Sequence, residues 1–262
     1  MKRRADDSVP PEVYTREYYE SNCQGYVEFR QSRGATIPAR LQIPLELAEI
    51  AADMSVLDVG CGRGEILVQA ARRGARAIGF DYAIVALGIA LESIAARPES
   101  DKILIHLGNA RRLPYPDNHF DRVFMLDVVE HLYPDELHQT FTEIWRVLCP
   151  SGRLIVHTMP NTWYYRLGYP WFRIVQRLRG KHLPANPRAR WGYPQVHVNE
   201  QNPISLYRAL RAAGFKVKVW LRSTQSYAEE PNKYVRFAMR ALVTIYPFRW
   251  IFCNDLFAIA VK

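Results

Sequence analysis

Short apolar runs alternate with amphipathic stretches between residues 45 and 157. The runs predict five strands, over residues 55–59, 75–80, 102–106, 121–126 and 153–157. The stretches between them predict helices, over residues 45–52 (the end of a helix), 65–73, 83–96 and 134–148, and Ser151-Gly152 predicts a turn. Short buried strands separated by helices are typical of βαβ units, so this part of the chain predicts a mostly parallel sheet.

The alternation breaks at Met159-Pro160-Asn161. The next stretch, residues 162–195, is rich in Trp, Tyr, Arg and Pro and has no acidic residue. The pattern then resumes with a helix over 204–213 that ends at Gly214, a strand over 215–221, a basic helix near 234–243 and a final strand over 250–261. The sequence thus predicts one domain with four parts: a lead-in (1–44), a core (45–161), an inserted cap (162–196) and a completion of the sheet (197–262).

Composition narrows the class of protein without naming a partner. The chain has 262 residues and a net charge of +9, which fits either an anionic partner or simply a basic, solvated surface. No apolar run reaches the roughly 20 residues that span a bilayer. The charged N-terminus does not resemble a secretory signal, and we expect its first dozen residues to form a loose tail. Four scattered cysteines argue against a structural zinc site and favour a reducing, cytoplasmic location.

A glycine-rich loop follows the first predicted strand. The segment VLDVGCGRGE, residues 56–65, passes from a buried strand through three alternating glycines into a helix. Glycines let a ligand approach the backbone, and a helix start offers free N–H groups. The GxGxG spacing differs from the GxGxxG of dinucleotide-binding proteins, and a P-loop would need a Lys-Ser/Thr pair. Asp81, at the end of the second strand, can accept hydrogen bonds from both ribose hydroxyls of a nucleoside.

These segments carry a family resemblance. The glycine loop, GFD at 79–81, GNARRLPYPDNHFDRVFMLDVVEHL at 108–132 and EIWRVLCPSGRLIVHTMPN at 143–161 resemble class I S-adenosylmethionine (SAM)-dependent methyltransferases. The similarity is greatest to the small-molecule, "methyltransferase type 11" branch, which includes quinone-biosynthesis enzymes, and a weaker similarity continues over 197–215. The resemblance implies an α/β, Rossmann-like, doubly wound sheet of seven mostly parallel strands with an antiparallel last strand, and the cap inserted after strand 5.

The resemblance also implies a SAM site, with S-adenosylhomocysteine as product. Gly60 and Gly62 would line the methionine part, Asp81 would hold the ribose, and Tyr82 would lie beside the adenine. Asn109 stands where the family more often has Asp, and an amide oxygen can still accept a hydrogen bond from the adenine amine. The implied cofactor contacts are Asp58, Gly60, Cys61, Gly62, Asp81, Tyr82, Asn109, Ala110, Asp127 and Tyr19. Tyr18 and Tyr19 would either close over the cofactor or serve ordinary helix packing.

Three histidines are candidate bases for deprotonating a hydroxyl acceptor. His131 follows the fourth strand, His157 ends the fifth, and His197 precedes a late helix; each could instead be structural. For a carbon acid, Glu130 could serve as the base. The pattern Asp127-x-x-Glu130-His131 raises a divalent metal as an alternative, but adjacent Glu130 and His131 need a particular loop to converge, so we expect no metal.

The insertion and the basic helix bear on the acceptor. In the insertion, aromatic side chains would exclude water and basic groups would meet an anionic substrate, or the segment could be a self-packed surface subdomain. Lys233, Arg236 and Arg240 share one face of the later helix, opposite Val235 and Met239, which predicts packing on the core or a membrane-surface patch. We therefore expect methyl transfer to O or C of a small-molecule or lipid-linked acceptor by a cytoplasmic enzyme, with peripheral membrane contact open. The alternatives are an RNA methyltransferase and a non-catalytic SAM-binding module.

Overall fold

The fold is known from a computed structural model that describes residues 8–23, 25–32, 34–95, 97–190, 192–225, 227–228 and 230–262. The strands are β1 Ser55–Val59, β2 Arg76–Asp81, β3 Ile103–Leu107, β4 Phe120–Leu126, β5 Leu148–Thr158, β6 Lys216–Leu221 and β7 Leu256–Val261. The helices are α1 Tyr26–Ser32, α2 Ala39–Leu47, α3 Glu65–Arg72, α4 Ile84–Ile94, α5 Pro134–Val147, α6 Tyr169–Leu178, α7 Pro203–Ala212, α8 Lys233–Thr244 and α9 Phe248–Phe252.

The seven strands form one sheet in the order β3-β2-β1-β4-β5-β7-β6. Strands β1 to β5 run parallel to one another, and β7 runs antiparallel to both of its neighbours, β5 and β6. This confirms the predicted doubly wound sheet with an antiparallel last strand. The order reverses between β1 and β4, and open α/β sheets bind ligands in the crevice at such a reversal, beyond the carboxyl ends of the strands.

Helices cover both faces of the sheet because successive strand side chains point to opposite faces. Leu57 and Val123 belong to a core shared with α5 and α7, whereas Val56 and Phe124 belong to a core shared with α2, α3 and α4. Both cores are closed off from water in the middle strands, which explains why those strands are almost continuously apolar. A rigid sheet therefore supports the loops at its carboxyl edge.

Several predicted boundaries shift. The helix predicted to end at residue 52 ends at Leu47, and Ala96, at the end of another predicted helix, lies outside the described residues. The apolar run from residue 250 begins as α9, and β7 starts only at Leu256, since a short apolar run does not distinguish helix from strand. The predicted turn at 151–152 is a kink inside the longer β5, where Ser151 has a φ of 65°.

The described residues also answer two composition questions. None of their helices is both long enough and apolar enough to cross a bilayer. All four cysteines are free thiols, two of them buried. The site is therefore not constrained by a disulfide.

Candidate active site at the carboxyl edge of the sheet

The loop between β1 and α3 requires its glycines. Gly60, Gly62 and Gly64 have φ values of 75°, 51° and 80°, a backbone conformation that L side chains rarely adopt. A Cβ on Gly60 would lie 2.3 Å from Cγ2 of Val128 in the loop after β4. The glycine loop therefore packs against the loop after β4 at a distance that only glycine permits. Helix α3 begins directly after the glycine loop.

Asp81 ties this loop to the end of β2. Its Oδ2 accepts a hydrogen bond from the Gly62 N–H at 3.0 Å, and its Oδ1 accepts one from the Ala83 N–H at 2.9 Å. Burial raises the pKa of Asp81, while these backbone N–H groups act in the opposite direction. Burial, with the nearby Asp81 and Glu65 carboxylates, also raises the pKa of Asp58 well above its usual range.

All ten predicted cofactor contacts line a single cavity. Within it the Tyr82 hydroxyl donates to the Val9 carbonyl at 3.2 Å. The Asn109 side-chain oxygen accepts hydrogen bonds from the backbone N–H and the Nε of Arg111, at 3.0 and 3.2 Å, so in this structure the Asn109 amide is held by its own loop. The structure thus brings these residues together; their contacts with a cofactor remain a prediction.

The N-terminal segment from Ser8 onward contributes to the roof of the cavity, and of the first dozen residues, which were expected to be loose, Val9 is buried while residues 10–12 are exposed. Val9 and Tyr14 are buried in an aromatic layer over the site. The Ser8 hydroxyl donates a hydrogen bond to the Glu136 carboxylate. The Tyr18 ring packs edge-on against Tyr14, with ring centroids 5.1 Å apart. Residues 1–7 lie outside the described part of the chain.

Tyr19 and Arg63 join this roof to the glycine loop. Tyr19 is buried and lies 3.8 Å from the position of a Cβ on Gly62, which places its ring over the loop. The buried Arg63 guanidinium donates to Glu65 at 2.7 Å and to the Tyr19 carbonyl at 3.3 Å. The burial of Arg63 had no signal in the sequence, because a basic residue between loop glycines is usually exposed.

Asp127 stands at the end of β4 and faces the cavity with a φ of 56°. Arg40 of α2 forms an ion pair with its Oδ2, and Nδ1 of His157 lies 2.5 Å from its Oδ1. Burial acts to raise the pKa of Asp127, but Arg40 and His157 outweigh it and hold that pKa well below its usual range. Asp127 is therefore ionised, and its partner Arg40 had no recognisable signal in the sequence.

His157 connects two carboxylates, those of Asp127 and Asp255, in the core. Its side chain is fully buried, and its two ring nitrogens lie on Asp127 and, at 3.3 Å, on Oδ1 of Asp255 in the loop before β7. Burial lowers the pKa of His157, but the two carboxylates overcome this and raise it to about 10. His157 does not line the cavity, and with both nitrogens engaged we do not assign it the catalytic role that its sequence position suggested.

His131 is the candidate base that faces the cavity. Its Nδ1 lies 2.9 Å from the Tyr14 hydroxyl, and burial, with the nearby His197, lowers its pKa to about 3. His197 packs edge-on against it, with ring centroids 5.0 Å apart, and burial lowers the pKa of His197 to about 4. Both imidazoles are neutral at physiological pH. Burial, followed by the charge of Asp127, raises the pKa of Glu130 to about 8.

The insertion contributes less to this cavity than the sequence analysis anticipated. Within the part of the chain that the structure describes, the cavity wall contains no residue from 162–195. The insertion touches the roof instead, through Tyr193, whose ring centroid lies 5.2 Å from that of Tyr18. Trp191, one of its predicted aromatic groups, lies outside the described residues. A role of the insertion as a substrate cap remains a proposal.

Comparisons with known proteins agree with this architecture. A family model described as a methyltransferase domain matches residues 57–156. A demethylmenaquinone methyltransferase of Symbiobacterium thermophilum is 36% identical over 119 residues, which are 44% of this chain and 47% of that protein. A probable S-adenosylmethionine-dependent methyltransferase of Mycolicibacterium smegmatis is 31% identical over 175 residues, 66% of this chain and 56% of that protein.

A solved structure shows the same fold. The crystal structure of the [4+2]-cyclase SpnF superposes with a TM-score of 0.58 at 22% identity, covering 85% of this chain and 79% of that one. The chain spans about half the length of the curated relatives it matches, so the matches concern the domain and not a whole activity. By its sheet order, its glycine loop and these matches, the chain resembles the class I SAM-dependent methyltransferases, and its residues 57–156 match their methyltransferase domain.

Proposed function

We propose that this protein transfers a methyl group from SAM to oxygen or carbon of a small-molecule or lipid-linked acceptor. The observation that carries the proposal is the convergence of ten residues, predicted from separate segments, on one cavity at the switch point of the sheet. SAM, when bound, supplies an activated methyl group on a sulfonium. Asp81 is placed to accept the ribose hydroxyls, and Asp127 supplies a negative charge beside the cavity.

The chain's own residues act mainly by position and by excluding water. Holding a nucleophile in line with a methyl group contributes several kcal/mol to catalysis without any acid or base. The roof of Tyr14, Tyr18 and Tyr19 covers one side of the cavity with buried rings, which limits the access of competing water from that side. His131 lines the same cavity, and an acceptor hydroxyl could bond to its neutral imidazole only by displacing the Tyr14 hydroxyl or the Val196 backbone from the ring nitrogens.

The cofactor assignment can be tested by calorimetric titration with SAM, S-adenosylhomocysteine and NAD. We expect SAM and its demethylated product to bind at one site per chain and NAD to bind at least tenfold more weakly. The reason is that the loop lacks the third-glycine spacing that seats a pyrophosphate on the helix start. Equal affinity for NAD, or no binding of SAM, would overturn the assignment.

Helix α6 supports an acceptor held at a membrane surface. Leu167, Trp171, Ile174 and Leu178 recur at helical spacing on one side, and all four are exposed, Trp171 by 64% and Leu178 by 83%. The opposite side, with Tyr169, is buried. An apolar helix face turned to water is unusual in a monomeric protein and is typical of a helix that lies in a membrane interface.

Helix α8 repeats this arrangement. Tyr234 and Phe237 are each 74% exposed, and the exposed Ile245, just after the helix, continues the same side. Val243, in contrast, packs against the core. The face that the sequence assigned to core packing is thus only part of the apolar surface. An ion pair between Arg179 and Glu230, at 2.9 Å, connects the end of α6 to the approach to α8.

The charge around these faces favours an anionic bilayer as their partner. The insertion and the span of α8 and α9 carry many arginines and lysines and no acidic residue. Basic groups near an anionic membrane surface contribute about 1 kcal/mol each. We therefore propose peripheral binding to anionic membranes, which would bring a lipid-linked acceptor to the enzyme. One relative is named a demethylmenaquinone methyltransferase, which is consistent with a small-molecule acceptor.

Vesicle sedimentation tests the membrane proposal. We expect binding to vesicles with anionic lipid at low salt, little binding to neutral vesicles, and loss in about 1 M salt, where charges are screened beyond about 3 Å. Replacing Trp171 and Leu178 together by serine should weaken binding at least about tenfold, since each large apolar side chain contributes roughly 1.5–3 kcal/mol when buried. Leu104→Ser, a 56% exposed leucine on β3 at the other edge of the sheet, is the matched control.

Two results would contradict the membrane proposal. One is equal loss of vesicle binding in Leu104→Ser and in the double variant. The other is salt-sensitive binding to bulk tRNA with no binding to vesicles, which would favour an RNA substrate.

A further inference from the structure

Glu130, His131 and His197 form a cluster of metal-ligating side chains beside the cavity. Each offers one ligand atom, and the three atoms lie within 4.8 Å of one another. Glu130 and His131 come from the short helical turn after β4, and His197 comes from the segment before α7. The loop geometry that the sequence analysis considered improbable for Glu130 and His131 is therefore present, with a third ligand from a distant segment.

The cluster has the chemistry and the spacing of a divalent metal site. Two imidazoles and one carboxylate form a ligand set that binds zinc and other first-row transition ions. Bonds of about 2.0–2.2 Å place ligand atoms on one ion roughly 3.5 Å apart, so side chains whose ligand atoms lie within 4.8 Å of one another would have to draw together around it. The two imidazole rings are perpendicular, at 88°, so their edges can turn toward a common point without stacking.

Hydrogen bonds outside the cluster hold its members in place. The Glu130 carbonyl accepts hydrogen bonds from the N–H groups of Val198 and Asn199, at 2.9 and 3.0 Å, and this fixes the segment that carries His197. The Thr158 hydroxyl donates to Oε2 of Glu130 at 2.7 Å, which orients the buried carboxylate. Partners of this kind orient ligands in metal sites.

Asp127 belongs to a different network, although it lies three residues before Glu130. Its two carboxylate oxygens lie on Arg40 and His157. A metal ligand at Asp127 would disturb this charged network, whereas His131 would exchange only one neutral contact, with the Tyr14 hydroxyl or the Val196 backbone, for the ion. The structure therefore selects His197, and not Asp127, as the third member of the cluster.

We propose that Glu130, His131 and His197 bind one divalent first-row transition ion, such as Zn²⁺ or Mn²⁺. Of the three ligands only His131 is in the cavity wall, so an ion held by them would lie beside the space in which an acceptor would bind. An acceptor oxygen on the ion would lose its proton more easily and be fixed in front of the methyl donor. This role rests on the proposed methyl transfer, whereas the binding of the ion does not.

The test uses the full chain after removal of metals with a chelator. Titration with Zn²⁺ in a calorimeter, and with Co²⁺ as a spectroscopic substitute, is expected to give one ion per chain and a visible absorption band. His197→Gln should weaken binding at least about 100-fold, because it removes a ligand. His182→Gln, at an exposed histidine of the insertion, should leave affinity and spectrum unchanged.

Glu130→Gln serves as the second variant, with a thermal melt to establish that it folds. Unchanged Zn²⁺ affinity in folded His197→Gln, an equal loss in His182→Gln, or absence of saturable binding would overturn the proposal. SAM affinity measured on the same metal-free samples separates the two questions. Loss of SAM binding refutes the proposed function, and loss of Zn²⁺ binding alone refutes the metal site.

Discussion

Replacing Asp81 with asparagine is expected to weaken SAM binding by roughly 10- to 150-fold. A hydrogen bond to a charged group contributes about 1.5–3 kcal/mol, and the ribose hydroxyls would lose such a partner. Asparagine keeps the size of the side chain and one acceptor oxygen for the N–H groups of Gly62 or Ala83. The expected loss therefore reports on the missing charge more than on a collapsed loop.

The wild-type protein should show a matching pH dependence. Burial raises the pKa of Asp81, so the carboxylate is lost at a higher pH than in an exposed aspartate. SAM affinity should accordingly fall as the pH drops through this raised pKa, and the fall should be much smaller in Asp81→Asn. Calorimetry at several pH values measures both effects.

Asp101→Asn is the control for Asp81→Asn, since Asp101 is an exposed aspartate before β3. It should bind SAM as the wild type does. A thermal melt of each variant shows whether the fold is intact. If folded Asp81→Asn binds SAM with unchanged affinity, the ribose is not held at Asp81 and the site must be reassigned.

Local patterns predicted the cofactor half of the site because its determinants are local. A buried strand, a glycine turn and a helix start at residues 55–65 lie within a few residues of one another, and their geometry is set by backbone conformation. The acid at the end of β2 follows from the parallel register, which pairs Val59 with Phe80 and so places Asp81 beside the loop. Each of these steps involves only elements that follow one another directly along the chain.

The acceptor half depends on contacts across long stretches of sequence. Tyr14 reaches His131 across 117 residues, and His157 reaches Asp255 across 98. No periodic pattern marks such pairs, since each residue alone also fits a surface or a core position. The N-terminal segment is a further case: no local pattern around Val9 and Tyr14 marks them as buried, yet both belong to an aromatic layer with Tyr82 and Val196.

Periodicity located helices more reliably than it located their surroundings. The spacing in α8 correctly predicts a helix with an apolar side, but the spacing of apolar residues does not indicate what covers that side. Val243 meets the core, while Tyr234 and Phe237 face water. The membrane proposal arises from this difference, which only the three-dimensional packing reveals.

The largest effect on stability is expected from His157→Gln, which should lower the free energy of unfolding by about 3–5 kcal/mol. Removing one member of a buried, hydrogen-bonded ion pair leaves the other charge without compensation. Asp127 would retain Arg40, but Asp255 would retain, among the described residues, only the uncharged Thr224, whose hydroxyl and backbone N–H donate at 2.9 and 3.4 Å. Urea unfolding at neutral pH measures the difference, and His138→Gln, at an exposed histidine of α5, should be close to neutral.

The pH dependence of that difference identifies its cause. The folded-state pKa of His157 is raised to about 10, above the ordinary value of 6.5, so its contribution is complete below about pH 6.5 and is lost as the pH rises through 10. Between these limits the wild type should lose stability relative to His157→Gln with a slope of about one proton. Asp127 acts at the other end, because its lowered pKa gives stability that is lost only in strong acid. A difference that stays constant from neutral pH to about pH 10 would mean that His157 is neutral in the folded protein, and the ionic link would then be an ordinary hydrogen bond.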